Sequence, residues 1–223
     1  FLIVEEFIEK QGCSSDTDSF SVDGELKFVS FSAQRFDENA ANPYAPSAYS
    51  WPSTMTKEQE DELTSELQRL LRLVNMRTSI YNIETRIGTN GKPYIMEVSP
   101  RGGGNRLAEM LYYATGVDLI ANAVRAAVGD DVIDVVQKPY NGHWAEVILH
   151  ADKDGHFVGL DINEDFYKSH VVQTDLWVKE NDEVFAFRGA NDAIGTLVLK
   201  FNSKEELVQT LACQKRWLKV VVK

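Results

Sequence analysis

The spacing of apolar positions divides the chain into strands at period two and helices at period 3.6. Residues 1–8, Phe-Leu-Ile-Val-Glu-Glu-Phe-Ile, read as a buried strand. A Gly-Cys-Ser-Ser turn follows, and residues 20–31 suggest two strands hinged on Asp23-Gly24. Residues 37–52 carry Asn, Ala, Ser and Pro with little periodicity, so they are expected to form a loop. Thr56 and Gln59 make a capping box ahead of Leu63, Leu67, Leu70, Leu71 and Val74, which predicts a helix running to about Asn75. Residues 82–99 read as a hairpin, and a glycine loop then leads into a helix bearing Leu107, Met110 and Leu111. Asp118 and Gly129 suit the two ends of another helix. Beyond Pro139 the pattern becomes strand-rich, with turns at Asp154-Gly155 and Asn181-Asp182, a Ser203-led helix and a closing strand from Trp217 to Val222. These elements predict an α+β protein: an antiparallel sheet with helices over residues 1–135, then a smaller strand-rich α+β domain over 136–223.

The hairpin carries the first chemical signal. Asn90-Gly91 suits a type I′ turn, which needs positive φ at both central residues. With those two as the loop, Thr89 opposes Lys92, Asn82 opposes Ser99 and Glu84 opposes Glu97. Asn82, Glu84 and Arg86 then share one face with Ile95, Glu97 and Ser99. Carboxylates directly opposed on neighbouring strands repel each other. Either both point into water on a solvated face, or a divalent cation lies between them. Mg²⁺ suits the second reading, because it takes hard oxygen ligands and is held by one or two carboxylates together with substrate phosphates. Just downstream, Arg101 stands beside Gly102-Gly103-Gly104. Arginine offers a planar fork of donors to phosphate, and glycines let backbone amides approach an anion. Together the carboxylate pair and Arg101 point to a nucleotide–metal site.

Composition narrows the partners. The 223 residues carry a net charge of −11, which argues against a polyanion held by bulk electrostatics and so against nucleic acid. No apolar run approaches the roughly 20 residues of a membrane span. Cys13 and Cys213 match no metal or redox spacing, so reduced thiols and a cytoplasmic location are expected. His143, His150, His156 and His170 show no ligand spacing and read as strand or surface residues. The chain lacks an initiator Met and opens inside an expected strand, so it reads as a piece of a longer protein.

The run Asn-Ile-Glu-Thr-Arg at 82–86, with Gly-Lys-Pro-Tyr-Ile-Met-Glu-Val-Ser-Pro-Arg-Gly-Gly-Gly at 91–104, resembles the metal-binding hairpin and following loop of the ATP-grasp superfamily. The variety is that of carbamoyl-phosphate-synthase large subunits and amino-acid ligases. The resemblance implies that Glu84 and Glu97 ligate Mg²⁺ or Mn²⁺, and that Arg101 contacts the γ-phosphate of ATP or the acyl phosphate made from it. Ser99 stands where the family usually has Asn, and it would supply its oxygen directly or through water. Val4 to Ile8 resembles the family's adenine-binding hinge strand, which implies that Glu5, Glu6, Phe7 and Ile8 line the adenine. A core strand with an acidic edge stays open as the other reading. The family often holds ribose through a Gly-x-Glu motif. Here Gly12 precedes Cys13 and Ser14, so that role is vacant or falls to Asp16 or Asp18.

The likeness covers about residues 1–130, the carboxy-proximal half of an ATP-grasp module. The missing half normally adds a glycine-rich flap and phosphate lysines, so this chain alone is expected to be inactive. Ile194-Gly195 and the Ser203-led helix are similar to the substrate-side domain of the amino-acid-ligase branch. The implied activity is an ATP-dependent carboxylate–amine or carboxylate–ammonia ligase working through an acyl phosphate. Asn105 and Arg106 are candidates for holding the carboxylate at a helix N-terminus, where dipole and free amides favour anions. The implied partners are ATP, small carboxylate and amine substrates and the rest of the same chain, with neither nucleic acid nor membrane; a homodimer is compatible. Two rivals stand beside this reading: a nucleotide-binding or regulatory module without turnover, and a structural domain of a larger enzyme.

Overall fold

The computed structural model describes residues 2–223. They pack as two compact units whose segments alternate along the chain. One comprises Phe1–Ala33, Ser53–Gly103 and Val117–Lys138, the other Gln34–Pro52, Gly104–Gly116 and Pro139–Lys223. No helix among the described residues is long and apolar enough to cross a membrane.

The first unit is built on a four-stranded antiparallel sheet. Its strands are β1 (Ser15–Val22), β2 (Glu25–Phe28), β5 (Ser79–Ile87) and β6 (Pro93–Ser99), in the order β2-β1-β5-β6. From Tyr81 to Ile87, strand β5 alternates between buried and half-buried residues. Tyr81 and Ile83 enter a core with Leu63, Leu67 and Leu71 of helix α1 (Lys57–Leu73), while Asn82, Glu84 and Arg86 lie on the opposite face. The helix begins as the sequence predicts: the Thr56 side chain accepts from Gln59 N–H, and the Gln59 side chain accepts from Thr56 N–H. Helix α3 (Leu119–Val128) is capped by Asp118 and closed at Gly129, as expected.

Two local expectations are overturned. Residues 2–9 form no strand, and Leu2, Ile3, Val4 and Phe7 are 79–88% exposed. A strand needs a ladder of backbone partners, and among the described residues this segment has only an isolated bridge at Lys10. Phe1, the first residue of that expected strand, lies outside the described residues. Residues 37–52 are not all loop: β3 (Ala33–Phe36) and β4 (Pro46–Trp51) frame them. Strand β4 lies between β3 and β7 and is buried on both faces, which erases the period-two signal.

The second unit holds a five-stranded sheet in the order β3-β4-β7-β11-β9 and a three-stranded sheet β10-β8-β12. The strands not yet given are β7 (His143–His150), β8 (Gly155–Ile162), β9 (Val171–Leu176), β10 (Glu183–Val184), β11 (Ala193–Phe201) and β12 (Leu218–Val222). Val147, Leu149, Leu197 and Leu199 form its core with Leu207 and Leu211 of α5 (Lys204–Ala212) and with Trp217. Helix α2 (Leu107–Thr115) packs on β7, and a short α4 (Glu164–His170) precedes β9. The α+β class of the sequence reading is the observed one.

Candidate functional site

Glu84 and Glu97 face each other across β5 and β6, and Asn82 faces Ser99. The route to this register differs from the sequence reading. The Asn90-Gly91 turn is not type I′: of those two residues only Gly91 has positive φ, at 77°. Asn90 Oδ1 instead accepts from Lys92 N–H at 3.0 Å, and Gly88 N–H closes the loop on Lys92 O at 2.9 Å. The I′ geometry occurs at Asp23-Gly24, where φ is 51° and 86° between the paired Val22 and Glu25. In the β5–β6 hairpin the last pair is Ile87 with Pro93, so regular pairing would set Glu84 opposite Met96. A β-bulge between the Glu84 and Thr85 pairs leaves Met96 over and restores Glu97 to its place opposite Glu84. The wider turn itself sets Ile95 opposite buried Thr85, onto the core face and not beside Glu97 as expected.

Strand β1 adds two carboxylates that the hairpin alone does not reveal. Asp16 pairs with Glu84 and Asp18 with Asn82, so both lie on the same side of the sheet as Glu84. Asn82 ties the group together. Its Nδ2 donates to Asp16 Oδ1 at 2.7 Å and to Asp18 Oδ1 at 3.3 Å, and its Oδ1 accepts from Arg101 Nη1 at 3.4 Å. Asp18 is fully buried; Gly103 N–H donates to Oδ1 at 2.7 Å, and Oδ2 has no partner. Burial pushes its carboxyl up to about 7, with Asp16 adding to the shift and the Gly103, Asn82 and Arg101 contacts opposing it. Burial likewise raises the Glu84 carboxyl, helped by Asp16 and Glu97 and opposed by Arg86.

These are the marks of a place short of positive charge, and the donors are hard oxygens that fit Mg²⁺ or Mn²⁺. Asp16, Glu84 and Glu97 do not converge as closely as a dedicated protein cage. Among the described residues, the three acid or histidine side chains whose ligand atoms lie within 4.8 Å of one another are Asp37, His150 and Asp152. An open carboxylate pair is nevertheless what Mg²⁺ uses when phosphates and water complete its shell. Ser99 donates its hydroxyl to Glu97 Oε1 at 2.6 Å, which orients that carboxylate.

The exposed Arg101 side chain folds back onto Gly102 O at 2.9 Å, close to the Asn82 hub. Gly102 packs near Asp18, where an added Cβ would lie 3.9 Å from Oδ2. Asn105 and Arg106 both adopt left-handed backbone, with φ of 53° and 65°, ahead of α2. Arg106 gives no side-chain cap, and its guanidinium is engaged by Glu109 and, at 3.0 Å, by Asp175. It is therefore already paired with carboxylates of the chain itself.

The expected adenine segment, residues 5–8, is tied to the hairpin at its last residue and just beyond it. Thr89 N–H donates to Glu9 O at 3.0 Å, Gln11 N–H to Ile87 O at 2.7 Å, and Arg86 Nη1 to Ile8 O at 2.9 Å. The Arg86 guanidinium also lies 5.9 Å from the Phe7 ring centroid. Glu5 and Glu6 are exposed.

No protein-family model matches the chain. An uncharacterized protein of Sinorhizobium fredii is 33% identical over 149 residues, which is 66% of this chain and 30% of that protein. Carnosine synthase 1 of Gallus gallus is 28% identical over 86 residues, or 39% of this chain and 9% of the enzyme. Among solved structures, L-amino acid ligase from Bacillus licheniformis superposes with a TM-score of 0.81 at 16% identity, covering 97% of this chain and 53% of the ligase. Phosphoribosylglycinamide synthetase from Anaerococcus prevotii gives 0.77 at 17%, covering 98% and 55%. The biotin carboxylase domain of 2-oxoglutarate carboxylase from Hydrogenobacter thermophilus, solved with MgADP and bicarbonate, gives 0.71 at 15%, covering 95% and 46%. The chain thus spans about half the length of these solved enzymes, and its fold is that of the ATP-grasp ligases.

Proposed function

We propose that this chain is part of an ATP- and Mg²⁺-dependent ligase that joins a small carboxylate to an amine or ammonia through an acyl phosphate. The observation that carries the proposal is one β-sheet face on which Glu84 opposes Glu97, with Asp16, Asp18 and Asn82 alongside and Arg101 at its end. Glu84 and Glu97 would hold the cation, and Ser99 would hold Glu97 in orientation. When bound, Mg²⁺ supplies charge neutralisation at the β- and γ-phosphates. Arg101 is free to unfold from Gly102 O and offer its fork to the transferring phosphoryl group. Glu5, Glu6, Phe7 and Ile8, fixed to the hairpin through Arg86, would line the adenine, mainly by backbone. Asn105 would help to position the nucleotide or substrate. The resemblances to an L-amino acid ligase and to carnosine synthase support an amino acid as one substrate. Binding without turnover is the second reading; the Ser99 hydroxyl, committed to Glu97, favours it.

Arg101→Lys in the full-length protein tests the proposal by steady-state release of ADP with a panel of amino acids and ammonia. Lysine keeps the charge and loses the bidentate fork. Losing one well-placed transition-state donor costs about 3–4 kcal/mol, a hundred- to a thousand-fold in kcat, with ATP affinity little changed. A normally folded variant with wild-type kcat removes Arg101 from the chemistry. ADP release from no carboxylate–amine pair, with Mg·ATP still bound, selects the second reading.

A further inference from the structure

We infer that Asp37, His150 and Asp152 form a binding site for a zinc-like divalent cation, built independently of the nucleotide site. All three belong to the second compact unit. His150 ends β7, and the chain runs on extended through the bridge residue Ala151, so His150 and Asp152 project to the same side. Asp37 follows β3, and the ligand atoms of the three side chains lie within 4.8 Å of one another.

The hydrogen bonding of the imidazole makes this more than a cluster of charges. The His150 side chain is only 6% exposed, and its ring stacks on Phe187 at 4.3 Å. Its Nδ1 lies 2.9 Å from Ile148 O, which can only accept, so the ring proton sits on Nδ1. In the neutral ring Nε2 then carries a lone pair, and it faces Asp37 Oδ2 at 3.5 Å. Two acceptors pointing at each other need a cation or a second proton between them. A histidine donating its far N–H to a backbone carbonyl while its other nitrogen faces carboxylates is the arrangement of a metal-bound imidazole.

Beside the three ligands is a cavity of about 710 Å³, also bordered by Arg35 and Lys215, which leaves coordination positions open to water or to a ligand. Lys215 is the present counter-ion. Its Nζ lies 3.7 Å from Asp37 Oδ2 and 3.5 Å from Asp152 Oδ1, on a side chain that is 57% exposed. Those distances are too long for good hydrogen bonds, so a divalent ion displaces it readily. One imidazole with two carboxylates selects Zn²⁺ and its first-row neighbours over Mg²⁺, which favours all-oxygen shells. That preference separates this site from the hairpin glutamates.

The test is Zn²⁺ titration of the chelator-stripped chain by calorimetry, with imidazole nitrogens followed by NMR. One Zn²⁺ per chain is expected to bind with a shift of the His150 ring signals. Asp152→Asn, at a side chain 66% exposed and so without consequence for folding, is expected to weaken binding by about tenfold or more. Lys215→Met is expected to tighten it, and Glu97→Gln to leave it unchanged. The inference is overturned if Zn²⁺ fails to bind, if Asp152→Asn binds as wild type, or if Glu97→Gln abolishes the binding. It is equally overturned if the His150 ring titrates as a plain imidazolium with no response to Zn²⁺.

Discussion

Asp18→Asn gives the sharpest reading of the electrostatics of the sheet face. Asp18 is fully buried, and its carboxyl rises from 3.8 to about 7, chiefly through burial. The folded protein therefore binds a proton more tightly than the unfolded chain, and stability falls as pH climbs from about 4 to about 7. Linkage with those two pKa values gives a cost of about 1.5 kcal/mol at pH 5 and about 4 kcal/mol at pH 8. Asparagine keeps an oxygen for Gly103 N–H and Asn82 but cannot ionise. Its amide nitrogen takes the place of Oδ2, which has no partner in either case, so any cost of that substitution is the same at both pH values. The stability difference between variant and wild type should thus move by about 2.5 kcal/mol in favour of the variant between pH 5 and pH 8. Urea unfolding of both proteins at the two pH values measures it directly. A difference that stays constant within about 0.5 kcal/mol would falsify the buried, charge-starved picture of Asp18.

Other perturbations test how the site is held. Gly195→Ala should destabilise by about 3 kcal/mol or more in urea, because a Cβ at φ 154° would lie 2.2 Å from Asp175 O in the paired strand; wild-type stability would show that β9 gives way. Arg86→Ala should speed hydrogen exchange at the Gln11 and Thr89 amides by loosening residues 7–11, with global stability changed by no more than about 1 kcal/mol; unchanged exchange would mean the backbone contacts suffice. Thr56→Ala should cost about 1 kcal/mol through loss of the α1 cap, and a neutral outcome would assign helix stability to packing alone.

Much of this molecule was legible in its pattern. The caps of α1, α3 and α5 lie at Thr56, Asp118 and Ser203, where short-range chemistry decides. The pairing of Glu84 with Glu97 was also legible, although two departures from the simple reading cancel to produce it: a wider turn and a bulge at Met96. Neither is visible locally, because the bulge answers to the core demand for Ile95 and Val98. Asp16 and Asp18 reach the site through the pairing of β1 with β5, more than 60 residues later in the chain. The only local trace of that is their period-two spacing. His150 read as a strand or surface residue because Asp37, whose carboxylate its ring faces, is 113 residues away in the chain.

Mn²⁺ with ADP reports whether Glu84 and Glu97 together hold a nucleotide-bound divalent cation. Water-proton relaxation reports Mn²⁺ bound to the protein, and the part that requires ADP isolates the nucleotide site from Asp37, His150 and Asp152. Glu97 is exposed, so Glu97→Gln leaves the fold intact. An ADP-dependent enhancement is expected in the wild type, weakening about tenfold or more in Glu97→Gln and persisting in Asp152→Asn. An enhancement of equal strength in Glu97→Gln and in the wild type would contradict this role for the two glutamates.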